Sequence, residues 1–239
     1  MKRKPKIFQL SSSLTQISLN SVNVFLIRTP ETLCLIDTGY LGSFPLIEAA
    51  FQSLGIKLED IQHIILTHIH PDHTGELEKI KNLSGATTWM HELDAKIFRE
   101  GKVFRSPIKI TPGLINFIIY QRNIKRGPYQ LPFTDIDETL SDGDQFPFLG
   151  PNRIIHTPGH TEGHICLLLE DEDCLIAGDL CVNVIGLTHA PIHEDLELAT
   201  ESIRKVSRFS FGKAGFGHGR PLLKNGSQRL RSAFKLGKA

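Results

Sequence analysis

Four side chains that can bind a metal ion fall within six residues of this chain. His68, His70, Asp72 and His73 occur in the stretch HIHPDH, directly after an apolar run that predicts a buried strand. Because successive side chains of a strand alternate between its faces, His68 and His70 should point to the same side. Pro71 then predicts the start of a helix. Imidazoles and a carboxylate presented from one turn indicate a site for a borderline metal such as zinc.

Three further segments place a potential ligand at the predicted end of a strand. His160 lies in a turn after a short strand, Asp179 ends a strand at 174–177, and His218 stands between glycines after another strand-like segment. Strand ends hold side chains rigidly while leaving a site open to a ligand. We therefore expect these three residues to complete the site that the first four begin.

The order of these motifs is similar to that of the metallo-β-lactamase-fold hydrolases, the group that contains glyoxalase II and the quorum-quenching lactonases. The pattern HxHxDH is followed by His160, Asp179 and His218, and Asp37 matches the family's early aspartate at a strand end. The resemblance runs from about residue 22 to about residue 218. It implies an α/β fold, a four-layer αββα sandwich with the metals at one edge.

Carried over residue by residue, the resemblance implies two zinc ions, with iron or manganese as alternative metals. The ligands would be three residues for the first ion, three for the second and one bridging carboxylate: His68, His70 and His160; Asp72, His73 and His218; Asp179. Asp37 would accept a hydrogen bond that orients a ligand imidazole. Asp72 would act in catalysis as well as binding metal.

This layout predicts hydrolysis by a hydroxide held between two metals. Two cations that share a carboxylate and a water lower the pKa of that water toward neutrality and polarise a substrate carbonyl. Val182 stands where related lactonases often have Tyr, and Asp179 stands where one main class of zinc β-lactamases has Cys. We therefore expect a small ester, thioester or lactone as the substrate.

Two functions from other classes are alternatives. A sulfur dioxygenase of the same fold would bind a single iron through two His and one Asp, which correspond to His68, His160 and Asp179. A non-catalytic binding protein of this fold would usually have lost its metal ligands. The retained His218 and the complete second ligand set favour the hydrolase.

The composition is compatible with a cytoplasmic enzyme formed by a single domain, residues 1–239. Hydrophobic residues make up 40% of the chain, enough for a sizeable core. The formal net charge of +1 gives no reason to expect nucleic acid. No apolar run reaches transmembrane length, and the basic start lacks the apolar run of a signal peptide, so we expect no membrane partner. The four cysteines are expected to be reduced thiols, mostly in the core.

The predicted elements form two similar halves of the chain, and one insert, at about residues 101–133, separates them. It contains an apolar, helix-length run at 114–120 between basic and Pro/Gly-rich flanks. Three interpretations are open: an extra helix packed on the core, a cap over the metal cleft, or a contact in a homodimer. We predict that the run packs beside the cleft, where Phe117 and Tyr120 would line the pocket of a small-molecule substrate.

Hydrophobic periodicity predicts the elements that position these residues. Strands are predicted at 6–10, 15–19, 22–28, 33–37, 86–90, 137–140, 153–156, 165–169 and 174–177, and helices at 44–54, 92–100, 195–207 and 226–236.

Three other histidines lie near the motifs. His164 is close enough to His160 to reach a metal ligand, and His189 and His193 follow Asp179 in a loop that could line the pocket. For each, a structural imidazole is the alternative.

Overall fold

The computed structural model describes residues 4–125, 131–132 and 134–236, and within them the strands form two main sheets. The strands are β1 (Lys6–Gln9), β2 (Leu14–Ser18), β3 (Asn23–Arg28), β4 (Leu33–Ile36), β5 (His63–Ile65), β6 (Thr87–His91), β7 (Lys109–Ile110), β8 (Glu138–Leu140), β9 (Asn152–His156), β10 (Ile165–Leu169), β11 (Cys174–Ile176), β12 (Val182–Asn183), β13 (Leu187–Thr188), β14 (Ile192–His193) and β15 (Lys213–Gly215). One sheet has the order β1-β2-β3-β4-β5-β6-β8 and the other β15-β11-β10-β9.

The helices lie between these strands. They are α1 (Phe44–Ser53), α2 (Pro71–Thr74), α3 (Leu77–Ser84), α4 (Glu92–Arg99), α5 (Leu114–Ile119), α6 (Leu196–Val206) and α7 (Gly226–Ala233). A 3-10 turn at Leu58–Asp60 precedes β5, and a π-helical turn at Tyr120–Ile124 extends α5. Asp195 begins α6 by accepting hydrogen bonds from the amides of Glu197 and Leu198.

The two main sheets pack face to face through the alternate side chains of their strands. In β3, Phe25 and Ile27 face the second sheet, where Leu167 and Leu169 of β10 meet them in one buried cluster. Because successive strand residues point to opposite faces, the intervening Leu26 belongs to a different cluster on the outer side of the first sheet. Both faces of these strands are therefore buried, which explains why their sequences are apolar without alternation.

Helices cover the outer face of each sheet. Ile47 of α1 and Ile80 of α3 pack on the outer face of the first sheet. Ile203 of α6 and Leu230 of α7 pack with Leu168 on the outer face of the second. The layers follow the order helix, sheet, sheet, helix, which confirms the predicted αββα sandwich.

The functional segments leave the sandwich at one edge because of strand direction. In the first sheet β4 and β5 are parallel, so the segments after both strands, which hold Asp37 and His68, leave from the same end. In the second sheet β11 is parallel to β15, and β9 has the same direction because both β9 and β11 are antiparallel to β10. The segments that follow β9, β11 and β15 hold His160, Asp179 and His218.

The apolar run of the insert is not part of the core, so its interpretation as an extra helix packed there is wrong. The run does form α5, but Leu114 is 75% exposed and Ile115 is 66% exposed, and Phe117 and Ile118 are also exposed. Residues 126–130 and 133 of the predicted insert lie outside the described residues. Within the described part of the chain, no helix combines the length and apolar character required to cross a bilayer.

Candidate metal centre

Seven side chains from the loops at this edge of the sandwich converge on one place. The metal-binding atoms of His68, His70 and His160, which we call the three-histidine set, lie within 4.8 Å of one another. The same limit holds for Asp72, His73 and His218, which we call the mixed set. A third group of His68, His73 and Asp179 joins the two. The structure thus brings together all seven residues that the sequence selected.

Asp179 occupies the position between the two sets. Its Oδ2 lies 3.4 Å from Nε2 of His160 and 3.2 Å from Nε2 of His218. Its Oδ1 lies 3.6 Å from Nε2 of His73. Gly217 allows this approach, because a Cβ at that position would stand 2.1 Å from Oδ1 of Asp179. One carboxylate can therefore contact cations in both sets.

Three buried atoms at the centre lack a hydrogen-bond partner among the described residues: Nε2 of His73, Nε2 of His160 and Oδ1 of Asp179. A buried polar atom without a partner is costly, typically by about 1–3 kcal/mol. All three atoms lie close to other nitrogen and oxygen atoms that can bind a metal ion. Bound divalent cations would satisfy them, so the residues present fit the metals that the motif implies.

The far nitrogens of three histidines are held by acceptors, which fixes each ring and its tautomer. Nδ1 of His73 donates to Asp37 over 2.8 Å, and Nδ1 of His160 donates to the carbonyl of Ile192 over 3.0 Å. Nδ1 of His218 donates to the backbone carbonyl of Ser21. When such a ring is neutral and its proton is on Nδ1, the lone pair of Nε2 points into the cluster, as a metal ligand requires.

Asp37 makes the orienting contact that the resemblance implied, and it does so from an unusual backbone conformation. It is fully buried with φ of +59°, a left-handed value that non-glycine residues rarely adopt. Its carboxylate accepts from His73 and also from the amide of Thr67 at 2.8 Å. The hydroxyl of Thr67 in turn contacts Nδ1 of His68 at 3.0 Å. Asp37 therefore supports one histidine of each set.

Charge is distributed unevenly over the centre. Burial lowers the pKa of His68 and His160 well below the usual value, with neighbouring histidines adding to the effect. Burial also opposes protonation of His73, but the carboxylates around it outweigh that effect and raise its pKa to about 9. The pKa of His218 is likewise raised well above its usual value against the effect of burial, chiefly by Asp179. The mixed set is thus the part of the centre that most strongly attracts positive charge.

Two of the other histidines named from sequence lie beside the centre. His164 is fully buried; its Nε2 accepts from the amide of Asp179 at 2.9 Å and its Nδ1 contacts the hydroxyl of Thr157 at 2.7 Å. The ring of His193 lies 5.5 Å from that of His160, and its nitrogens have no hydrogen-bond partner among the described residues. His189 lies farther out, 5.7 Å from the ring of His193.

The insert reaches the centre through residues that sequence reasoning did not select. The ring of Phe104 lies 4.7 Å from that of His70. β7 pairs with β14, which supplies the carbonyl of Ile192 that holds His160. Arg105 of the insert donates to Asp94 of α4, and Asp94 accepts from the amide of Ile69 between His68 and His70. No local sequence pattern marks these residues. Asp94, for example, resembles any acidic residue in the first turn of a helix.

Comparison with known proteins gives a consistent assignment. A family model described as the Metallo-beta-lactamase superfamily matches residues 17–218. Lactamase-like protein adaB of Aspergillus niger is 28% identical over 214 residues, 86% of this chain and 54% of that protein. Thioesterase pkgB of Emericella nidulans is 29% identical over 215 residues, 87% of this chain and 48% of that protein. The chain therefore spans about half the length of these relatives.

The fold is also shared with solved structures. The crystal structure of a metallo-beta-lactamase family protein from Thermus thermophilus matches with a TM-score of 0.72 at 23% identity. The match covers 95% of this chain and 80% of that protein. At this level of identity the likeness concerns the fold alone.

Proposed function

The chain belongs to the metallo-beta-lactamase superfamily, and from that premise we propose that it is a metal-dependent hydrolase with two divalent cations, zinc in the first instance. The observation that carries the proposal is the convergence of seven nitrogen and oxygen ligands around buried atoms that have no partner among the described residues. The three-histidine set would hold one ion, the mixed set the other, and Asp179 would contact both. Bound cations of this kind supply an activated water and polarise a carbonyl group.

The protein's own residues prepare the site in advance. The far-side hydrogen bonds of His73, His160 and His218 fix the rings, so little reorganisation is needed when substrate binds. Asp72 is the most exposed of the ligands, with 41% of its side chain accessible, so it faces the open side of the centre. Partial burial raises the pKa of Asp72, but His73 and His218 outweigh this and hold it at about 2. Asp72 is therefore an ionised acceptor that can orient a water proton.

A thiol nucleophile is not required by this proposal, and the cysteines are unsuited to the role. The four thiols are buried and unpaired. Burial raises the pKa of Cys181, two residues after Asp179, well above its usual value, so the reactive thiolate is not formed at neutral pH. Four unpaired thiols also favour a reducing compartment, and we propose the cytoplasm.

Small thioesters, esters and lactones are the substrates we propose, with thioesters first because one relative is named as a thioesterase. The substrate would enter past Phe104, which packs on His70, and the exposed face of α5. We propose that Phe117 and Tyr120 contribute the apolar side of this entrance. Pockets for small molecules combine apolar walls with a few placed polar groups, and the centre would provide the polar groups.

The test is a panel of acyl thioesters, aryl esters and lactones given to chelator-treated protein and to the same protein reloaded with zinc. We expect turnover of at least one class only after reloading. Asp179→Asn should abolish that turnover while the protein remains folded by circular dichroism. Turnover that is equal with and without metal would overturn the proposal.

A further inference from the structure

A buried carboxylate behind the three-histidine set joins the two loops that carry it. Asp94 of α4 is completely buried. Its Oδ2 accepts from the amide of Ile69 at 3.0 Å and from the hydroxyl of Thr161 at 2.7 Å. Its Oδ1 accepts from the amide of Gly163 at 2.8 Å and from Nη1 of Arg105 at 2.8 Å. Four donors from three separate segments therefore meet on one side chain.

The position of these donors in the chain connects them to the metal ligands. Ile69 lies between His68 and His70, and Thr161 directly follows His160. A residue bonded to Asp94 is thus the chain neighbour of every member of the three-histidine set. By contrast, the donors to Asp94 do not include the ligands of the mixed set or their chain neighbours.

Arg105 of the insert balances the buried charge and adds a second connection to the same loop. Its guanidinium lies 3.4 Å from Glu194 and 3.3 Å from Glu162 as well as contacting Asp94. The carboxylate of Glu194 accepts from the amide of Glu162 at 2.6 Å, and the amide of Glu194 donates to the carbonyl of His160 at 3.2 Å. A buried carboxylate is stable only when it is paired and fully hydrogen-bonded, and this network meets both conditions.

The loop after His160 passes very close to the carboxylate of Asp94. A Cβ at position 163 would stand 2.6 Å from Cγ of Asp94, so glycine is required where the loop after His160 passes the carboxylate. Phe104, next to Arg105, packs its ring on His70. Phe104 and Arg105 therefore pack together with the two ligand loops and the start of α4.

We propose that Asp94 is a positioning residue that holds the two loops of the three-histidine set at metal-binding separation, with Arg105 as its countercharge. The inference rests on the proposed metal-dependent function, since it concerns the affinity of one metal site. Residues that orient metal ligands from behind typically change affinity by about 10- to 100-fold when they are replaced. The effect of Asp94 should be larger at the three-histidine set than at the mixed set, because two of its donors, Ile69 and Thr161, are chain neighbours of the first set.

The experiment measures zinc affinity in two backgrounds that each keep one set. His218→Ala leaves the three-histidine set intact, and His160→Ala leaves the mixed set intact. Zinc affinity is measured by competition with a chromophoric chelator, and folding is followed by thermal melting. We expect Asp94→Asn to weaken zinc binding by about 10-fold or more in the His218→Ala background, with little change in the His160→Ala background.

Matched variants separate positioning from general destabilisation. Thr161→Val removes a single donor to Asp94 with little change in shape and should weaken the same site in the same background. Thr200→Val, which removes a hydroxyl contact to the carbonyl of Leu196 on α6, is its control. The control for Asp94→Asn is Asp137→Asn, which replaces a carboxylate that accepts hydrogen bonds from Thr88 and Lys81 away from the centre. Both controls should leave zinc affinity unchanged in both backgrounds.

The outcomes are distinct. Equal weakening in both backgrounds, or none in the His218→Ala background for both Asp94→Asn and Thr161→Val, overturns the positioning role alone. If the unsubstituted protein binds no zinc, the proposed function fails and the inference fails with it.

Discussion

Nδ1 of His73 donates a hydrogen bond of 2.8 Å to Oδ2 of Asp37, and both side chains are completely buried. The bond fixes which nitrogen of His73 faces the mixed set. It also joins a residue after β4 to the helical turn α2 that carries the ligand. This contact makes Asp37 part of the candidate metal centre although it would contribute no ligand atom.

We predict that Asp37→Asn weakens metal binding at the mixed set by about 10-fold or more. An amide at this position can still accept from Thr67 but no longer supplies the charge that orients and supports His73. Zinc titration of the variant in the His160→Ala background measures the effect, with Asp60→Asn on an exposed turn as the control. An unchanged affinity in Asp37→Asn would show that the bond has no role in metal binding.

Zinc binding should release protons at neutral pH. In the metal-free protein the pKa of His73 is raised to about 9 and that of His218 is raised well above 6.5, so both rings are charged at pH 7. A cation must displace both protons, and we expect about two to be released per chain. Affinity should therefore rise as pH increases from about 6 toward about 9. Calorimetry in buffers of different ionisation enthalpy counts these protons, and a binding heat independent of the buffer would contradict the account.

The same shift predicts how the metal-free protein responds to pH. Because the folded-state pKa of His73 lies above its unfolded value near 6.5, the favourable charge of His73 contributes to stability fully below about pH 6.5. That contribution is lost as pH rises through about 9. Thermal melting of chelator-treated protein should show this loss, whereas His73→Ala should remove this part of the pH dependence. A melting temperature of the parent protein that does not fall over this range would count against the charged state of His73.

The helix α5 and the π-helical turn that follows it should affect substrate use or assembly. Phe117→Ala and Tyr120→Ala are expected to change KM or substrate preference and to leave zinc content unchanged, because α5 is proposed at the entrance to the centre. A homodimer contact predicts instead that these variants lower the molecular mass in solution. Kinetics and light scattering on the same samples distinguish the two, with Leu223→Ala at another exposed apolar position as the control. If neither property changes, α5 has no part in the site.

Cys181 should be dispensable for turnover. The residue is fully buried and its thiol stays protonated at neutral pH because burial raises its pKa, so Cys181→Ala should keep turnover within about twofold of the parent protein and cost at most about 1–2 kcal/mol in stability. Mass spectrometry of protein quenched during turnover provides a second check. A covalent acyl group on Cys181 or any serine would contradict the proposed chemistry.

Much of the fold could be predicted because its local signals agree with its tertiary structure. β10 has the predicted bounds 165–169, and α1 differs from its prediction by one residue at one end. The seven residues of the candidate centre could be selected because their types, order and positions at strand ends are all visible in the sequence. The pairing of β7 with β14 could not be predicted, because a strand of two residues is too short to show alternating apolar and polar side chains.

The errors have a common physical cause, which is that burial depends on distant segments. The apolar run of α5 predicted burial, yet four of its side chains are exposed because no described element covers them. Asp94 shows the reverse case, a charged residue in a helix that is completely buried because Arg105 and three other donors surround it. Neither the exposure of α5 nor the burial of Asp94 can be inferred from the residues that neighbour them in the sequence.

The central claim is that this chain binds two divalent cations at one centre, and elemental analysis tests it most directly. We predict two zinc ions per chain in carefully loaded protein. Asp179→Ala should lower occupancy of both sites, whereas His73→Ala should lower mainly one. A single iron per chain, as expected for a dioxygenase using His68, His160 and Asp179, would contradict the account, as would protein that holds no metal.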